Sequence, residues 1–226
     1  MSEALVQPAA PPEPLLHASV YEELRARFIT GKIMPGGALS TRGLALELGV
    51  SQMPVRDALS RLAAEGAVLI RSKRRVEAPT MTEARFNDLL TCRLLLEPEA
   101  AAIALPHISP ARLRRLQEID EALDLAMEAG DVIAYMEGNF AFHFNIYRAN
   151  ERPTLNRLIE TLWLQFGPYM RVVYGRYGTA NLVDQHHVAL AAIEAGDAAA
   201  LRAAIASDIS DGMGLIGASR WNEAEA

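Results

Sequence analysis

The chain has 226 residues, half of them hydrophobic, with few aromatics and a formal charge of −6. That length suits one or two domains. No apolar run approaches the roughly 20 residues that span a bilayer, and the N-terminus lacks the basic and apolar regions of a signal peptide, so a cytoplasmic location with no membrane partner is expected. The lone Cys92 excludes a disulfide framework and a Cys-based zinc site.

The charge is unevenly spread. Residues 15–79 carry ten Lys/Arg against six Asp/Glu, whereas residues 80–226 carry twelve against twenty. A basic small domain joined to a larger acidic one points to a polyanionic partner for the first part only, because binding depends on the field at the contact face.

Residues 1–14, rich in Pro and Ala, read as a disordered arm. Ser19-Val-Tyr-Glu22 has the form of a capping box and predicts a helix start, with Val20, Leu24 and Phe28 on its apolar face. Gly31 and Pro35-Gly36-Gly37 end that helix. A short helix is predicted near Thr41–Leu48, then a turn at Leu48-Gly49-Val50-Ser51. The next helix is N-capped by Ser51 with Pro54 in its first turn, and Val55, Ala58, Leu59 and Leu62 form its buried stripe. Val68-Leu69-Ile70 and Val76 flank Arg71-Ser72-Lys73-Arg74-Arg75, which predicts a small hairpin with a basic tip.

From Thr80 onward the pattern is helical, with helices predicted at 82–104, 109–129, 131–149, 154–174, 182–195 and 198–217. Glu-Ala-Gly-Asp occurs at 128–131 and at 194–197, each time offering Gly to end one helix and Asp to cap the next. Six helices with short links imply an antiparallel bundle. The expected fold is therefore mostly α. It has a winged helix-turn-helix with a small β-hairpin wing over 15–79, an all-α helical bundle over 80–220, and a tail at 221–226.

Two short helices joined by Leu-Gly-Val-Ser form a helix-turn-helix pattern, whose second helix lies in the major groove. Its leading residues are Ser51, Gln52, Met53 and Arg56. Gln pairs with adenine, Arg with guanine, and Met offers apolar contact. Arg42 is placed to grip phosphate, and Lys73, Arg74 and Arg75 to reach phosphates or the minor groove.

Residues 19–79 resemble the winged helix-turn-helix of the GntR transcription regulators. The matching strings are VYEELRARFITGKIMPGGALS, LALELGVSQMPVRDALSRLAAEGAV and the basic stretch behind them. The resemblance implies DNA contact by Arg42, Ser51, Gln52, Met53 and Arg56. The family usually has Arg-Thr at Gln52-Met53 and Gly at the wing tip, which is Lys73-Arg74-Arg75 here. A different operator and more phosphate contact are expected.

Residues 82–217 resemble the helical ligand-binding domain of the FadR-like subfamily, called FCD, through RLLLEPEAA, GNFAFHFNIYRANERPTL and QHHVALAAIEAGD. From spacing alone, Asn139 and His143 share one helix face, a weak signal that fits a satisfied core histidine better than a ligand. The resemblance implies a divalent metal held by Asn139, His143, His186 and Asp208. The usual fourth ligand is His. Asp208 in its place shifts the preference from copper or zinc toward manganese-like ions, so zinc, manganese and nickel all remain open. His187 is expected to point elsewhere.

The resemblance also implies that Arg93 faces the cavity and pairs with an effector carboxylate, the alternative being an internal ion pair with Glu97. Tyr135, Arg171 and Tyr174 are further pocket candidates. The implied protein is a homodimeric, non-enzymatic regulator that binds a near-palindromic double-stranded operator and responds to a small organic acid. The alternatives are a metal-dependent enzyme in the bundle and a metal-free regulator responding to acyl-CoA. No HExxH, nucleophile elbow or phosphate-binding loop is present.

Overall fold

The computed structural model describes residues 13–36, 38–72, 75–177 and 185–218. The N-terminal part comprises α1 (Glu13–Ile29), β1 (Ala38–Leu39), α2 (Thr41–Glu47), α3 (Gln52–Ala64), β2 (Leu69–Ser72) and β3 (Arg75–Glu77). The bundle comprises α4 (Glu83–Ala104), α5 (Pro110–Ala129), α6 (Val132–Tyr147), α7 (Pro153–Tyr177), α8 (His186–Ala195) and α9 (Ala198–Ala218).

The capping box expected at Ser19 is not a helix start. Helix α1 begins at Glu13 with Pro14 in its first turn, and Ser19 lies inside it. Proline at that position is already compatible with a helix, since the N–H it lacks would have no intrahelical partner. The expected arm falls outside the described residues apart from Glu13 and Pro14, as does the tail. Leu24 and Phe28 of α1 are fully buried and pack in one core with Val55, Leu59 and Leu62 of α3.

The hairpin forms where expected, but the sheet has a third strand. Its order is β1-β3-β2, all antiparallel, with Ala38 opposite Glu77, Leu39 opposite Val76, and Ile70 opposite Val76. The Gly36 N–H, which donates to Ala78 O at 3.2 Å, extends the pairing. Arg71 Nε meets Glu77 Oε1 at 2.7 Å across the hairpin.

The bundle helices follow their caps. Thr82 accepts from Arg85 N and Ser109 from Arg112 N, both at 3.2 Å. Both Glu-Ala-Gly-Asp junctions act as predicted. Gly130 and Gly196 take φ of 67° and 66°, and Asp131 and Asp197 cap the following helices. Helix α4 lies along α9, and α5 packs on α6 and α8.

Helix α7 joins the two parts. Gly167 faces the carboxyl end of α1, where a Cβ would stand 2.4 Å from the carbonyl oxygens of both Phe28 and Ile29. The two backbones touch there without intervening side chains. Pro168 follows at once and removes one bond from the α7 ladder.

Candidate nucleic-acid interface and candidate metal centre

Ser40 accepts from Gly43 N at 3.1 Å and starts α2. Gly49, at φ 65°, turns the chain, and Val50 N donates back to Ala45 O at 3.0 Å. Ser51 occupies the N-cap of α3 in extended conformation, but its hydroxyl makes no capping bond. The amino end of α3 therefore presents Ser51, Gln52, Met53 and Arg56 to solvent, while Pro54, Val55 and Ala58 are buried. Met53 is 58% exposed, an unusual setting for a thioether with no partner. Arg42 is exposed on α2. Neither the Arg42 nor the Arg56 side chain has an acidic partner among the described residues. Of the wing tip, Lys73, Arg74 and the Arg75 side chain lie outside the described residues.

The second cluster lies in the bundle. One turn of α6 separates Asn139 from His143, α8 begins with His186, and α9 supplies Asp208. His143 and His186 are 0% and 1% exposed. One ligand atom from each of His143, His186 and Asp208 lies within 4.8 Å of the others. His143 Nε2 stands 3.0 Å from Asp208 Oδ2, and His186 Nε2 stands 3.8 Å from Asp208 Oδ1. Metal–ligand bonds of about 2.0–2.2 Å place adjacent donors roughly 3.0–3.5 Å apart, so this spacing fits one small cation. Asn139 is buried one turn before His143, and its Oδ1 has no hydrogen-bond partner. His187, next to the buried His186, is exposed.

The far side of each imidazole decides what faces Asp208. Tyr147 OH donates to Glu97 Oε2 at 2.9 Å and lies 3.0 Å from His143 Nδ1. Burial pushes the Tyr147 hydroxyl well above its ordinary pKa, so it keeps its proton. Its oxygen can then accept from Nδ1–H, and in that tautomer Nε2 carries the ring lone pair. Asp120 Oδ1 lies 3.4 Å from His186 Nδ1.

Nε2 of each ring thus faces the Asp208 carboxylate, an arrangement that can hold a cation. Burial alone would raise the Asp208 carboxyl. The hydrogen bond with His143 and the nearby His186, His143 and Arg93 outweigh burial and hold it at about 2. Asp208 is therefore an anion in all ordinary solutions. Its contribution to stability is full above the usual carboxylate range and is lost as pH falls toward about 2.

Arg93 is 3% exposed and forms the internal pair rather than standing open. Its Nε donates to Glu97 Oε1 at 2.5 Å and one Nη to Oε2 at 3.2 Å. Burial works against the charge, and Glu97 outweighs it, so the guanidinium stays ionised. Its other Nη lies 3.5 Å from Met213 Sδ. Tyr135 is buried on α6. Arg171 instead donates to Gly31 O at 3.0 Å, at the junction between the two parts, and the Tyr174 side chain lies outside the described residues.

Sequence reasoning missed Asp120, Tyr147 and Trp163, whose indole N–H donates to Glu97 Oε2 at 3.1 Å. The signal for Tyr147 was present, since 139, 143 and 147 share one helix face. Asp120 sits in an acidic run, and only the packing of α5 on α8 singles it out.

A winged helix-turn-helix ahead of a helical bundle with a buried His/Asp cluster defines a two-domain transcription regulator. Residues 16–77 match the bacterial regulatory proteins of the gntR family, and residues 88–211 match the FCD domain. The chain is 30% identical to the HTH-type transcriptional regulator McbR of Escherichia coli over 89% of its own length and 92% of that protein. It is 25% identical to the gluconate operon transcriptional repressor of Bacillus subtilis, over 84% and 80% of the two chains. The solved structure of E. coli McbR/YncC superposes with a TM-score of 0.85, covering 91% of this chain and 99% of that one. A putative GntR regulator from Rhodococcus, at 22% identity and a TM-score of 0.73, shares the fold.

The chain belongs to the GntR family of DNA-binding regulators and carries an FCD domain. These relatives are named as regulators, which removes the enzymatic alternative. No helix among the described residues is long and apolar enough to cross a membrane.

Proposed function

We propose that this regulator works as a homodimer on a near-palindromic operator, with its affinity set by a small organic acid bound at a metal held by Asn139, His143, His186 and Asp208. The observation that carries this reading is the set of ring nitrogens of His143 and His186 and the Asp208 carboxylate gathered at one point. The metal would act as a Lewis acid with open positions for a carboxylate or hydroxyl oxygen. The mixed nitrogen and oxygen donors suit zinc, manganese or nickel. A polar cluster of this kind has no task in a metal-free acyl-CoA pocket. The name of one relative points to gluconate, itself a hydroxy acid. Arg93 is occupied by Glu97, so an effector carboxylate would meet at most its Nη beside Met213. On the DNA side, Gln52, Met53 and Arg56 read bases, while Ser51, Arg42 and the Lys73–Arg75 wing hold phosphates.

His143→Ala should strip the purified protein of most of its divalent metal, read by elemental analysis against the native chain. Equal metal content in both would sink the ligand assignment. Arg56→Ala should cost about 1–3 kcal/mol of operator affinity and relax the preference at one base pair. A loss uniform over all sequences would reassign Arg56 to phosphate.

A further inference from the structure

We infer that the metal centre acts on the recognition helix through a buried hydrogen-bond joint at Glu97 and then along α7. The inference rests on the proposed metal site. The joint starts at His143, whose Nδ1 meets Tyr147 OH, which in turn donates to Glu97 Oε2. That one oxygen also accepts from Trp163 Nε1 at 3.1 Å and from an Arg93 Nη at 3.2 Å. Three donors crowd an atom with two lone pairs, so a change in one bond is felt by the others. Glu97 and Tyr147 are fully buried and Trp163 is 1% exposed, with its ring 5.5 Å from that of His143. Close packing leaves no slack for the strain to dissipate locally.

Trp163 is on α7, and its neighbours on that helix hold the DNA-binding domain. Glu160 pairs with Arg25 of α1. Two residues after Trp163, Gln165 Oε1 accepts from Arg85 Nη2 at 2.8 Å. The same nitrogen donates to Gly66 O at 3.0 Å, just past the carboxyl end of α3. Gly167 then meets the last carbonyls of α1 directly, and Pro168 removes one ladder bond at that point. A cation seated between His143 Nε2 and Asp208 would hold both at its own bond lengths, and the turn of the His143 ring that this imposes would bear on Tyr147. The Trp163 bond passes that shift to α7, which holds α1 by backbone contact and α3 by the Arg85–Gln165 clasp. Glu97, Trp163, Gln165 and Arg85 are positioning residues here, since none offers the metal a donor atom.

Hydrogen exchange on the full chain tests the route without knowledge of the operator. Adding manganese or zinc chloride alone to metal-free protein should change protection about tenfold at amides 28–33 and 62–67. Trp163→Phe keeps a ring against Phe140 and Phe144 but lacks the N–H. It should bind the metal as the native chain does and lose both responses. Gln165→Ala should keep the response at 28–33 and lose that at 62–67, and it leaves the bundle core untouched should Trp163→Phe fold poorly. Native-like responses in either variant would overturn the route. A native chain that binds metal with no change at these amides would also overturn it, while leaving the metal site standing. A native chain that binds neither metal removes the site and the route together.

Discussion

Glu97→Ala is expected to destabilise the protein by about 3–5 kcal/mol, because it leaves the Arg93 guanidinium charged and unpaired in the bundle core. Glu97 accepts from Arg93, Tyr147 and Trp163, and none of the four groups reaches appreciable solvent. The loss would be read as a lower midpoint in urea unfolding, with the slope unchanged. The paired change Arg93→Met with Glu97→Leu should recover most of it, since a buried ion pair gives little net stability over well-packed apolar residues. A loss below about 1 kcal/mol for Glu97→Ala would mean that water reaches the guanidinium after all.

Gly167→Ala is the second large effect. The added methyl would lie 2.4 Å from two backbone carbonyls, and backbone cannot swing aside as a flexible side-chain tip can. Separating α7 from α1 should cost about 3 kcal/mol, at the upper end for overpacking, which is a fall of roughly 10 °C in Tm for a chain of this size. Gly214→Ala on α9 is the matched control. A Cβ there meets nothing within 4 Å, so better helix propensity should leave stability equal or slightly raised. Equal melting temperatures for the two variants would show that the α1–α7 contact is loose in solution.

Features set by neighbours in sequence were legible before the structure. Ser109, Asp131, Gly130 and Gly196 end or begin helices through bonds that span a few residues, so the bundle boundaries fall within a few residues of expectation. The preference for His186 over His187 came from the motif that the resemblance supplied, not from spacing. What escaped were contacts between distant segments. The two residues of β1 carry no strand signal and become a strand only by lying against β3. The helical signal of Ser19 was sound, but an N-cap needs a chain that is not already helical, and α1 had begun six residues earlier. Arg93 had two partners open to it. Only the turn of α4 that lays Glu97 beneath it, with Tyr147 and Trp163 closing over both, decides between them.

The third strand has a mechanical consequence. Because β1 stands immediately before α2 and hydrogen-bonds to β3, the base of the wing is tied to the chain that leads into the helix-turn-helix. If the recognition helix and the wing both contact a duplex, as proposed, their grip would act as a ruler of fixed span. DNA whose groove spacing departs from that span would then have to bend to fit, so the flexibility of base steps that no side chain touches would become part of how this regulator chooses its site.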